Sequence, residues 1–196
     1  FCTFLAMVYI ATSRVLYTLF GLGLFGAGAT ASYYLFGHVR ARVEIWLDPW
    51  SYIDTTGYQV AQSLFAIGSG GLFGTGLGQG YPEFIPAVHT DIIFSAFCEE
   101  LGLVGGAGII VLFMIIIYRG LKTALHSKDD FAALAASGLT ALLGLQAFII
   151  LAGVTKLLPL TGVTLPFMSY GGSSLVANFI LLGLLLNISN EAQDSP

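Results

Sequence analysis

Between Phe131 and Thr155 no side chain carries a charge, and the same holds from Leu101 to Tyr118 in LGLVGGAGIIVLFMIIIY. Runs of that length and character enter hydrocarbon, where each backbone N–H and C=O must find its partner inside the protein. Helices meet that demand segment by segment. Composition agrees, with 56% hydrophobic and 9% charged residues, where a soluble domain carries about 25% charge. The expected fold is therefore an all-α polytopic membrane protein.

Four complete transmembrane helices and a partial one are expected, at about 15–36, 90–118, 131–155 and 175–188, with the partial span at 1–13. Residues 1–13 are uncharged but too short to cross about 30 Å of hydrocarbon at about 1.5 Å per residue. Phe1 is not a start methionine and no charged segment precedes the first apolar run. No signal peptide is read, and the chain reads as the later part of a longer one. The span at 15–36 contains FGLGLFGAGATASYYLF, whose small residues let helices approach closely in lipid. Residues 119–130, RGLKTALHSKDD, read as a short polar turn.

Residues 37–89 differ in texture. HVRARVEIWLDPWSYIDTTGYQ brings charge, proline and interfacial aromatics, and SGGLFGTGLGQGYPEF brings a dense glycine series. Backbone this irregular cannot face lipid. It is expected to form a long extracytoplasmic loop with short helices, held at the membrane by Trp46, Trp50, Tyr52, Tyr58 and Phe65. A second loop, 156–174, holds LPLTGVTLPFMSYGGSS, an ordinary connection or a re-entrant turn lining a cavity. Arg14, Arg119, Lys122 and Lys128 fall on one side of the membrane and Arg40, Arg42 and Lys156 on the other. The first side is read as cytoplasmic because its cations sit in a compact turn.

The net charge of −4 comes without a basic cluster, so no nucleic acid partner is expected. Cys2 and Cys98 lie in apolar runs and read as two separate thiols.

Acids at membrane depth need a reason, because each costs at least about 2.5 to 3.5 kcal/mol to insert. Asp91, Glu99 and Glu100 lie in IPAVHTDIIFSAFCEELG. A helix through them sets Glu99 about 12 Å beyond Asp91 and roughly 80° round the axis, with Glu100 on the opposite side. The paired carboxylates of glycoside hydrolysis stand only about 5 to 9.5 Å apart. Asp91, at the membrane surface, would act alone, or with Thr90 it would simply cap the helix beginning at Ile92. Glu99 and Glu100 read as partners of loop amides or another helix. His89 can serve as a base or can orient a neighbour. Gly74, Gly76 and Gly78 lack the lysine and serine or threonine of a phosphate loop and fit backbone lying against a ligand or other helices better. Arg40, Arg42 and Lys156 either snorkel to headgroups or meet an anionic substrate, for which a divalent cation bridging carboxylate and phosphate is the other route.

GYQVAQSLFAIGSGGLFGTGLGQG, HTDIIFSAFCEELGLVG and LPLTGVTLPFMSYGGSS, in this order and spacing, resemble the SEDS family of cell-wall polymerases. The resemblance covers about residues 40–189. It implies a ten-helix protein of the bacterial cytoplasmic membrane, of which this chain holds part of helix six and helices seven to ten. It also implies a peptidoglycan glycosyltransferase that polymerises lipid II at the outer face, working with a class B penicillin-binding transpeptidase and other divisome or elongasome membrane proteins. Elongation, division and sporulation all stay open. By position, the family's essential acid is Asp91 in His89-Thr90-Asp91. Glu99 and Glu100 match its E-E-L-G, and Pro166, Ser169, Tyr170, Gly171 and Gly172 match its P-x-x-S-Y-G-G. The family commonly has Pro-Glu before the histidine, whereas Pro86 is followed here by Ala87. If that glutamate holds a metal, Mg or Mn would have to rely on Asp91 and Glu83.

Two other classes fit a polytopic chain with broken segments and intramembrane acids. A lipid flippase would place its ionisable groups at the midplane. A membrane scaffold would only position a transpeptidase.

Overall fold

The structure, a computed structural model, describes residues 1–194. Among them there is no strand, and the helices are α1 (Cys2–Thr12), α2 (Val15–Leu35), α3 (Gly37–Leu47), α4 (Tyr58–Ser69), α5 (Ile93–His126), α6 (Asp130–Val154) and α7 (Gly172–Asp194). Short 3-10 turns occupy Trp50–Tyr52 and Pro82–Phe84. Four helices, α2, α5, α6 and α7, are long and apolar enough to cross a membrane.

Antiparallel α5 and α6 form the centre. Small residues bring them together: Gly120 lies against Thr140, and Gly144 against Ile117. Without a hydrophobic force between helices in lipid, such close approach is what gains contact energy. Phe113, Leu143, Ala147, Ile150 and Val154 fill the seam, and Leu165 closes it from the following loop. On the other side of α6, α1 seats Met7 on Gly138, and Leu5 of α1 fits Gly21 of α2. Most of the remaining α2 side chains are exposed, as in a helix that is apolar all round.

Several boundaries differ from the sequence reading: α5 begins at Ile93 rather than 90, and α7 occupies Gly172–Asp194 where a span at 175–188 is expected. RGLKTALH is not a turn but the last two turns of α5, which runs to His126. Its leucines, alanine and lysine are good helix formers, and the turn shrinks to 127–129. There Asp129 caps α6 by accepting from Ala132 N at 2.9 Å. At the other end, α3 follows α2 after one residue, Phe36, whose extended φ/ψ turns the chain.

The 34-residue α5 is also broken at Gly102, where φ is 68° and ψ −169°. The break frees backbone groups of α5, and the glycine series fills the gap. Thr75 N donates to Glu99 O at 2.9 Å and Gly76 N to Glu100 O at 3.1 Å; Leu103 N and Val104 N donate to Gly71 O and Leu72 O at 2.9 and 3.2 Å. A β-carbon at Gly70, Gly74 or Gly102 would collide with this stitched backbone. The part of α5 beyond the break spans about 36 Å by helical rise, enough for hydrocarbon. The part before it, with Glu99 and Glu100, is left to pack on α4, where Ser63 and Ser95 share a buried hydrogen bond of 2.6 Å.

Candidate active site

The segment before α5 is a chain of tight turns. Val88 N donates to Ile85 O and Thr90 N to Ala87 O, with Ala87 at a left-handed φ of 53°. Gln59 Nε2 on α4 donates to Pro86 O at 2.9 Å and ties these turns to α4. The first helical residue is Ile93, Ile92 is the N-cap, and no side chain caps the helix. The capping alternative for Asp91 is thereby corrected: its carboxylate is not spent on the α5 amides. The Thr90 hydroxyl lies 2.6 Å from Asp91 Oδ1 and 2.8 Å from Ala87 O, sharing one proton between two acceptors.

Half-buried Asp91 lines a cavity of about 230 Å³ together with Arg42, Trp46, Gln59, Lys156 and Gly162. Two loops meet there because α3 is fastened to the chain leaving α6. Trp46 Nε1 donates to Lys156 O at 3.0 Å, Arg42 Nη1 reaches Thr161 O at 3.2 Å, and Lys156 Nζ reaches Leu47 O at 3.4 Å. Lys156 itself has φ 62° and lies within a turn closed by Leu157 N and Leu158 N, which both donate to Ala152 O. Gly162, with φ 71°, brings bare backbone up to Asp91 Oδ2. Among the described lining residues Asp91 is the carboxylate, facing the cations Arg42 and Lys156. Nearby, Asp48 is held below the usual carboxylate range by the Ser51 hydroxyl first and by Lys156 in smaller part.

The other candidates lie elsewhere. Arg40 points to Glu44, 2.8 Å away, and that hydrogen bond with its charge raises the guanidinium above its ordinary value. His89 is exposed and meets Tyr170 edge-on, with ring centroids 5.8 Å apart, while Tyr170 N donates to His89 O at 2.7 Å. It faces a separate depression shared with Glu100. Pro166 is fully buried, and Ser169 accepts from Leu165 N at 2.8 Å to close the turn beneath Tyr170. Gly171 and Gly172 start α7. The Pro166–Gly172 part of the proline segment thus braces the His89 turn, while Leu158, Leu160 and Gly162 of the same segment line the Asp91 cavity. Glu99 is buried, with Oε1 accepting from Tyr81 N at 3.1 Å and Oε2 without a partner beside Gly80.

Glu83 is exposed and outside the cavity lining. Among the described residues no three histidine, cysteine, aspartate or glutamate side chains converge. Asp91 alone, beside two cations, does not fit a resident divalent ion, so no chemical step is drawn through one.

Sequence reasoning missed Trp46 and Gln59 as walls of the cavity, and offered the segment holding Gly162 as a cavity lining without naming that residue. Trp46 read only as an interfacial aromatic, and nothing in the sequence pairs residues 46, 59 and 162. Their meeting depends on α3 folding back over the loop after α6.

The fold and this cavity define a multi-pass helical membrane protein with one uncapped acid at an end of its bundle, beside two cations. The model of the FtsW, RodA and SpoVE family, described as a cell cycle protein, matches residues 1–194, and the chain belongs to that family. Its setting is accordingly the bacterial cytoplasmic membrane. The peptidoglycan glycosyltransferase RodA of Mycobacterium tuberculosis is 53% identical over 193 residues, covering 98% of this chain and 41% of that protein. The stage V sporulation protein E of Bacillus subtilis is 40% identical over 194 residues, covering 97% and 53%. Among solved structures, a peptidoglycan synthase complex that coordinates polymerization and crosslinking matches with TM-score 0.76 and 29% identity, over 97% of this chain and 53% of that one. The chain spans about half the length of these relatives, or less.

Proposed function

We propose that the complete protein is a peptidoglycan glycosyltransferase that polymerises lipid II at the outer membrane face, with Asp91 as general base. Asp91 takes the proton from a sugar hydroxyl of one lipid-linked disaccharide. The hydroxyl oxygen attacks the anomeric carbon of another with inversion, and the bond to the polyprenyl diphosphate breaks with its electrons on the departing diphosphate. Arg42 and Lys156 meet that charge, which acts where it develops. A diphosphate leaves without a protonating acid, so one carboxylate suffices where hydrolases need two. At about 230 Å³ the cavity is smaller than the roughly 300 to 1,000 Å³ of a drug-sized pocket. It holds the reacting sugar and the edge of the diphosphate, with the rest of the substrate outside.

One observation carries this reading: the Asp91 carboxylate is free of the α5 amides and faces a cavity flanked by Arg42 and Lys156. The relatives named as glycosyltransferases support it. The likeness to a synthase complex supports a transpeptidase partner, taken here as a class B penicillin-binding protein.

The test is lipid II polymerisation by the purified full-length protein in detergent, where transport has no meaning. Wild type makes polymer, and Asp91→Asn lowers the rate about 10²- to 10⁴-fold, the usual worth of a positioned base. An unchanged rate removes Asp91 from the chemistry. Absence of polymer from wild type alone, restored by a transpeptidase, would return the scaffold reading. A chelator arm measures what Mg or Mn carried on the diphosphate adds.

A further inference from the structure

At the end of the bundle opposite Asp91, α5 and α7 leave between them a cavity of about 430 Å³, lined by Arg119, Lys122, Thr123, His126, Ser189 and Ala192. We propose that this cavity binds the phosphate headgroup of an anionic phospholipid of the inner leaflet.

Its chemistry is one-sided. Among the described lining residues there are two permanent cations, a histidine and two hydroxyls, and no carboxylate. Neither Arg119 nor Lys122 is ion-paired among the described residues. Glu191 on α7 lines another cavity, between α1, α6 and α7, and its Oε1 accepts from Asn187 Nδ2 at 3.0 Å. Asp129 is occupied with the α6 amides. The α5 C-terminus contributes about half a negative elementary charge, which two full cations outweigh.

The geometry matches the boundary of a bilayer. Arg119 lies about 10 Å from the end of α5 by helical rise, in the last turns of a helix long and apolar enough to cross a membrane. Leu121 and Leu125, on the same helix, are exposed toward the surroundings as lipid-facing side chains are. Arg119 and Lys122 are three residues apart and so share a face of α5. His126 continues that face, with Nδ1 donating to Lys122 O at 2.9 Å, and Thr123 donates to Arg119 O at 3.1 Å. These bonds hold the wall in place while the cationic ends stay available. Snorkelling alone would carry both cations past the helix into water; here they border a recess between two helices, the setting in which basic pockets on the cytoplasmic side take up phospholipid headgroups.

Native mass spectrometry of the full-length protein from detergent tests this, with phosphatidylglycerol, phosphatidylcholine and inorganic phosphate as probes. Wild type retains phosphatidylglycerol at concentrations where phosphatidylcholine is not retained. The double change Arg119→Gln with Lys122→Gln weakens retention at least tenfold, whereas the charge-conserving pair Arg119→Lys with Lys122→Arg keeps the preference for phosphatidylglycerol. Arg14→Gln, on the same side of the membrane but outside the cavity, behaves as wild type. Equal retention of phosphatidylcholine by wild type overturns the proposal, as does undiminished retention by the Gln pair. Displacement of the lipid by millimolar inorganic phosphate would assign the cavity to a free anion instead.

Discussion

Gly162 faces Asp91 across the candidate active site: a β-carbon on Gly162 would stand 3.7 Å from Asp91 Oδ2, on a residue whose φ is 71°. The position combines a left-handed backbone with bare space beside the proposed base. Gly162→Ala would add about 1 to 2 kcal/mol of backbone strain and a methyl group where the sugar must sit. Polymerisation by the full-length protein is expected to fall at least tenfold while the protein still purifies as a folded species. An unaltered rate would mean that substrate does not approach Asp91 from the Gly162 side.

The three cations Arg40, Arg42 and Lys156 should separate in function. Arg42 and Lys156 border the cavity, and Arg40 is paired with Glu44 outside it. A hydrogen bond to a charged group is worth about 1.5 to 3 kcal/mol, so Arg42→Gln and Lys156→Gln should each slow polymerisation about 10- to 150-fold. Arg40→Gln should stay within about twofold, since an exposed pair contributes little. A large loss in Arg40→Gln would place the diphosphate elsewhere.

The break in α5 should be intolerant of a side chain. Gly102→Ala brings a β-carbon into Gly74 N and Leu72 O at a φ of 68°. Strain together with lost loop hydrogen bonds should cost about 3 kcal/mol or more. Gly108→Ala, where the added carbon meets open space, should be neutral or slightly stabilising. Thermal unfolding of the two variants in detergent compares them directly; equal melting temperatures would contradict the stitched break.

Ser63 and Ser95 are both buried and hydrogen-bond to each other. Ser63→Ala leaves a lone hydroxyl between α4 and α5 and should cost about 1 to 3 kcal/mol. The double change Ser63→Ala with Ser95→Ala should cost less than the two single changes added together. Strict additivity in the unfolding cycle would show that the pair is not coupled.

Much of the fold could be read from charge alone. Charge-free runs marked the spans, and interfacial tryptophans with scattered acids marked the long segment between α2 and α5. The extension of α5 through RGLKTALH was hidden because its charges resemble a turn, although its leucines keep helical propensity. The glycine series was legible as close packing, but not its partner, since nothing local couples residues 71–76 to a break at Gly102. Of the candidate site, Asp91 stood out by its type and place, while its freedom from capping did not: Asp and Thr before a helix look the same whether or not they cap it.

Sequence by itself determined that this chain lives in a bilayer as helices and that an acid stands at one end of a span, because burial of charge and of unpaired amides is decided by residue type and run length. Tertiary structure decided which charges meet. Arg42, Asp91 and Lys156 are separated by long stretches of chain and are joined only when α3 folds over the loop after α6, and Arg40, two residues from Arg42, is turned away by the helical rotation between them. Contacts at such separation depend on packing and backbone direction, which no local pattern of residues encodes.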